Sequence, residues 1–180
     1  MMSANKNRRE SSLAGAGRPI HMHQRLAVFV DVQNLFYSAK AVYKRKVDYQ
    51  ALLNKVVAGR QLIRATAYIV QAMEVDQSTF ISVLHQTGYE VKSKELKKRP
   101  DGTAKGDWDM GIAIDSISMH DRVDVIALVS GDGDFCDLVR HLKARGVRTE
   151  VYAFTPATSE ELRLTATEFI ALDAGVLLYE

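Results

Sequence analysis

Asp31 closes an apolar run and Asp132 and Asp134 follow another, Asn34 stands three positions after the first, and Asp107 and Asp109 open a further helical segment. Carboxylates scattered over a surface signify nothing. Several gathered at the carboxyl edge of a parallel sheet repel one another, and the fold must recover that cost from a bound cation or from shifted pKa values. Oxygen donors of this kind suit magnesium or manganese, hard ions that keep several waters and need only two or three carboxylates beside phosphate oxygens. Such a site activates water, neutralises charge on phosphate and helps a leaving oxygen depart without any protein nucleophile. The chemistry expected is phosphodiester hydrolysis. Asp31 and Asp132 are the first choices as ligands, with Asp109 and Asp134 binding a second ion or orienting water. Asn34 and Ser130 would hydrogen-bond at the rim, and Lys105 would neutralise the phosphate.

Each residue taken alone has a plainer role. Asp31 can cap the helix that follows it, and Asp134 can cap another beyond the turn Ser-Gly-Asp-Gly-Asp, whose glycines at 131 and 133 permit positive φ. Asp107 and Asp109 suit a helix N-terminus through its dipole, so the functional case rests on the combination. Asp115 lies inside the helix at Ile-Ala-Ile-Asp, where a charge is costly unless paired, and is expected to support the ligands from behind or to touch the metal. None of the five histidines has zinc-ligand spacing, and Cys136 reads as a packing residue. Trp108 could stack on a base, although a core or rim aromatic is commoner.

The elements that must position these groups alternate between strand and helix. Continuous apolar runs predict buried strands at 25–31, 62–70, 123–130 and 147–154, and residues 89–95 read as an edge strand with one wet face. Helical spacing covers 34–44, 49–57, 76–86, 108–119 and 135–145, Thr158 with Glu161 has capping-box spacing, and 168–172 adds a last strand. The expected fold is a three-layer α/β domain, a mostly parallel open sheet of five or six strands with helices on both faces. Ligands collect in such sheets where strand order reverses, here between the first and fourth strands.

At 180 residues with 47% hydrophobic and 26% charged composition, the chain is expected to be one cytoplasmic domain spanning 25–180, behind a flexible basic arm at 1–24. No run approaches a membrane span, and a single cysteine permits no internal disulfide. The net charge of +2 conceals segregation: residues 1–25 and 92–105 each carry +4, leaving −6 elsewhere. Basic runs often serve only to solvate loops, yet beside an acidic pocket they suit a polyanion held by Lys97, Lys98, Arg99 and Lys105. A homodimer is compatible with these features but nothing in them requires one.

Three segments, VFVDVQNLF (28–36), KGDWDMGIAIDS (105–116) and LVSGDGDFCDLV (128–139), together resemble the NYN branch of the PIN-like nucleases, and within it the bacterial LabA-like group. The resemblance spans roughly 25–172. It implies a PIN-like fold, clustered acids that bind magnesium or manganese, and cleavage of RNA. By position, Asp31 would be the strand-one acid, Asn34 its partner, Asp109 the helix acid with Asp107 as alternate, and Asp132 and Asp134 the acids after strand four. The rival function is a non-catalytic RNA-binding or regulatory interaction module. A phosphatase working through an aspartyl intermediate usually has a second aspartate two positions after the first, where this chain has Gln33.

Overall fold

A computed structural model describes residues 22–71, 76–98 and 104–179. Its centre is a six-stranded sheet in the order β3-β2-β1-β6-β7-β8, every neighbouring pair parallel. β1 (Arg25–Asp31) leads through α1 (Val32–Tyr43) and α2 (Tyr49–Val57) to β2 (Gln61–Gln71), then through α3 (Ser78–Thr87) to β3 (Glu90–Glu95) at one edge. A two-residue ladder pairs β4 (Lys97–Lys98) with β5 (Ala104–Lys105), after which α4 (Asp109–Met119) carries the chain back to β6 (Val125–Val129) beside β1. The second half grows the other way through α5 (Cys136–Ala144), β7 (Arg148–Ala153), α6 (Glu160–Thr165) and β8 (Glu168–Ala171).

The expected three-layer arrangement is the one observed. Alternate residues of β1 go to opposite faces: Leu26, Val28 and Val30 pack with α1, α2 and α3, while Ala27 and Phe29 pack with α4, α5 and α6. All five are fully buried, and a phenylalanine so placed contributes roughly 1.5–3 kcal/mol. Since strand order reverses between β1 and β6, the loops leaving their carboxyl ends diverge to opposite faces and open a crevice between them.

Beneath that crevice, on the α2 side of the sheet, lies a buried ionic knot. Arg60 Nη1 lies 3.0 Å from both Glu150 carboxylate oxygens, and its Nη2 donates to the Val56 carbonyl and the Tyr152 hydroxyl. Tyr152 and Arg148 also donate to Glu150, and Arg148 continues to Glu168 on β8. The Arg60 and Glu150 side chains are 1% and 6% exposed, so the pair ties the start of β2 to β7 across two intervening strands.

Two local expectations need correction. The last helix is capped by Ser159, whose Oγ accepts from the Leu162 amide at 3.4 Å, whereas Thr158 donates to the Phe154 carbonyl one turn back. Gly131 and Gly133 do not adopt positive φ; among the described glycines, that conformation belongs to 59, 88 and 146. Their small size matters instead. A Cβ on Gly131 would sit 2.7 Å from the Ala157 carbonyl oxygen, and one on Gly133 would sit 2.9 Å from Ser159 Oγ. The acidic turn is therefore pressed against the segment leading into α6.

Candidate active site

Asp31 serves both of its expected roles. It is the N-cap of α1, its Oδ1 accepting from the Asn34 amide at 3.0 Å, and its Oδ2 accepts from the Ser130 hydroxyl at 3.2 Å. Only 9% exposed, it is pushed above the usual carboxylate range chiefly by burial, against which these hydrogen bonds work. Ser130, at 0% exposure, also accepts from the Asp132 amide, so its hydroxyl braces two acidic residues and is closed to a substrate. The rim role expected for Ser130 gives way to a positioning one. Asn34 Oδ1 accepts from the Gly131 amide at 3.0 Å, tying the loop after β1 to the loop after β6.

Asp132 caps a 3-10 turn at Gly133–Phe135 through the Asp134 amide, which explains why an acid pair spaced by glycine follows β6. From the other side of the crevice Asp109 opens α4. One carboxylate oxygen from each of Asp109, Asp132 and Asp134 lies within 4.8 Å of the others, a spacing that suits a shared metal ion. Asp31 is outside that triple, though its charge is felt by Asp109. Asp109 has its pKa pushed up to about 6, first by burial and then by the carboxylates of Asp107, Asp31, Asp132 and Asp134.

These groups line a cleft of about 260 Å³. α1 supplies Gln33, Asn34, Tyr37 and Ser38, β2 supplies Val70, and Asp107, Trp108 and Asp109 form the wall opposite, with Asp31 and Asp132 at the strand ends. Asp134 is exposed and joins the acids from outside the cleft lining. Trp108 is fixed by donation of Nε1 to the Ile69 carbonyl at 2.8 Å and by packing against Tyr68. Asp115 turns elsewhere: it accepts from the Tyr68 hydroxyl at 2.5 Å and pairs with Lys92 at 2.6 Å, which supplies the partner that an acid inside a helix requires. It is absent from the cleft. None of His23, His85, His120 and His141 lines the cleft, and Cys136 is 5% exposed in the core.

The basic hairpin leaves the sheet at the same edge, since the Leu96 amide donates to the Gln71 carbonyl at the end of β2. Lys97, Lys98 and Lys105 are described through their backbone pairing alone, and Arg99 lies outside the described residues, as do residues 1–21 of the expected arm. The sequence leaves Tyr37 undecided between stacking on a base and packing, and gives no reason to single out Gln33. The available signal was helical spacing, because Tyr37 and Ser38 lie three and four positions after Asn34 and so share its face.

A family model described as the NYN domain matches residues 25–173. The chain belongs to the NYN domain family. Among relatives of this NYN protein, the low amplitude and bright protein LabA of Synechococcus elongatus is 29% identical over 157 residues, covering 83% of this chain and 84% of LabA. A crystal structure of a protein of unknown function from Vibrio parahaemolyticus superposes with a TM-score of 0.81 at 35% identity, covering 89% of this chain and 99% of that one. No described helix is long and apolar enough to cross a membrane.

The raised Asp109 pKa has a testable sign. Between the ordinary value of 3.8 and about 6 the native NYN domain binds a proton at Asp109 that the unfolded chain does not, so this group lowers stability as pH rises through that window. Carboxylates held low, such as Asp124 and Asp173, titrate below it. In EDTA, the melting temperature of the wild type relative to Asp109→Asn is expected to rise when pH falls from 8 to 5. Parallel pH profiles for the two proteins would show that Asp109 carries no such strain.

Proposed function

We propose that this NYN protein is a metal-dependent endoribonuclease that hydrolyses RNA phosphodiester bonds at its aspartate cluster. The carrying observation is the convergence of Asp109, from the first turn of α4, with Asp132 and Asp134, from the loop after β6, within 4.8 Å at the switch point of the sheet. The donor set fits a hard dication: all its ligand atoms are carboxylate oxygens, and the excess of negative charge that raises Asp109 is what such an ion relieves. Asp109, Asp132 and Asp134 would hold magnesium or manganese, with Asp31 beside them at the end of β1.

When bound, the ion polarises the phosphate and lowers the pKa of a coordinated water. The chain does the positioning. Asp31, gripped by the Asn34 amide and Ser130, keeps a buried negative charge facing the reacting phosphate's surroundings and orients water by accepting its hydrogen bonds. With its Oδ1 committed to Gly131, Asn34 has its amide NH₂ left to donate to a phosphate oxygen. Asp107 adds negative charge at the cleft wall and stays available as the alternate to Asp109. Lys97, Lys98 and Lys105, on the hairpin at the same edge, would draw in the polyanion through its backbone, with Arg99 of the same basic run adding charge.

The test is incubation of purified protein with end-labelled RNA in magnesium, in manganese and in EDTA. Cleavage that requires a dication is the expected result. RNA bound but uncut under every condition would leave the alternative, a non-catalytic RNA-binding module on the same fold.

A further inference from the structure

Two large aromatics stand exposed beside the acids for no structural reason. Tyr37 is 60% exposed and Phe36 is 43% exposed, and neither belongs to the buried core on either face of the sheet. They meet edge to face, ring centroids 5.3 Å apart and planes 75° from parallel, so Phe36 steadies the Tyr37 ring while most of that ring stays open to solvent. Tyr37 lines the cleft one turn of α1 beyond Asn34 and two turns beyond Asp31. Exposed aromatic surface of this kind marks a contact with something that presents a complementary flat apolar face.

The other aromatic of the cleft does not compete for that role. Lys94 Nζ lies 4.6 Å from the centre of the Trp108 ring, Tyr68 packs at 5.3 Å, and Gly111 passes so close that a Cβ there would meet the ring at 2.5 Å. Trp108 is a wall held from several sides. Along α1, by contrast, Tyr37 is followed three positions on by exposed Lys40, one aromatic and one cation on one helical face, and exposed Lys44 closes the helix as its C-cap.

We infer that Tyr37, steadied by Phe36, is the stacking platform for an unpaired nucleobase next to the phosphate held at the acids, and that the strand runs on along α1 past Lys40 and Lys44. The inference rests on the nuclease reading above and adds its substrate class: a single strand, because a base already stacked and paired in a duplex cannot offer its face to Tyr37. Stacking is tolerant of base identity, so Tyr37 selects for strandedness and not for sequence.

The experiment measures steady-state cleavage of a short labelled oligouridine in manganese by the wild type, Tyr37→Ala and Tyr37→Trp, with an abasic ribose-phosphate oligomer of equal length as competitor. Loss of one stacking contact is expected to raise KM roughly tenfold in Tyr37→Ala, with kcat changed much less, while Tyr37→Trp stays close to wild type. Inhibition by the abasic competitor should be equal in all three proteins, since it has phosphates but no bases. Two results overturn the platform while leaving the nuclease reading intact: an unchanged KM in Tyr37→Ala, or an equal loss of affinity for the abasic strand. Failure of the wild type to cleave single-stranded RNA with either metal overturns both.

Discussion

Asp109→Asn and Asp132→Asn are each expected to reduce RNA cleavage about a thousandfold or more. An amide keeps the shape of the carboxylate but supplies neither the charge nor the second strong acceptor oxygen that a dication needs. The electrostatic help from a catalytic metal amounts to several kcal/mol, each 1.36 kcal/mol being a factor of ten in rate. The two residues come from opposite walls of the cleft and share one cluster, so the double variant should be scarcely worse than either single one. The fold should survive, because Asp109 is strained in the metal-free protein by four neighbouring carboxylates and its neutralisation relieves repulsion. Initial rates on labelled RNA with manganese, beside circular dichroism of each variant, check this. Full activity in either single variant would remove the aspartate cluster from the mechanism.

The largest effect on stability is expected at the ionic knot on the α2 side of the sheet. Glu150→Ala leaves the Arg60 guanidinium buried with no carboxylate, a loss of about 3–5 kcal/mol, whereas Arg60→Ala costs less because Glu150 keeps Arg148 and the Tyr152 hydroxyl. For a domain of this size the loss in Glu150→Ala corresponds to a fall in melting temperature of roughly 6–20 °C. The paired replacement Arg60→Met with Glu150→Leu should recover most of the loss, since it leaves no charge unmatched and fills similar volume. Thermal denaturation of the three proteins distinguishes the cases, and a Glu150→Ala variant that melts with the wild type would mean the pair contributes nothing.

Much of the architecture was legible because parallel strands buried on both faces leave an unmistakable trace. Val28 to Val30 and Val125 to Val129 are apolar at every position, which only a central strand tolerates in a short run, and the alternation with helical segments then fixed the layers. The acids were legible for a related reason: strand ends in such a sheet share one edge, which brings Asp31 and Asp132 into one cleft, although the three carboxylates within 4.8 Å are those of Asp109, Asp132 and Asp134. Less local features left no trace. Arg60 and Glu150 sit on strands that are not neighbours, and no spacing rule links them. The glycines of the acidic turn were assigned to backbone freedom when the reason is a close approach by residues 157–159, some 25 positions away in sequence. The cap of α6 was misplaced by one residue because Thr158 and Ser159 both satisfy the local pattern and only the turn geometry chooses between them. Asp31 had been weighed as cap or ligand, whereas a carboxylate with two oxygens accommodates a cap and still keeps acceptor capacity toward the cleft.

The joining of β1 to β6 has a bearing on synthesis. Asp31 and the serine that steadies it are 99 positions apart, so while the first half of the polypeptide emerges from a ribosome, β1 presents a bare hydrogen-bonding edge with its terminal acid unshielded. Closure of so long a loop comes late. The cluster of Asp109, Asp132 and Asp134 therefore cannot assemble on a nascent chain until its second half has been translated.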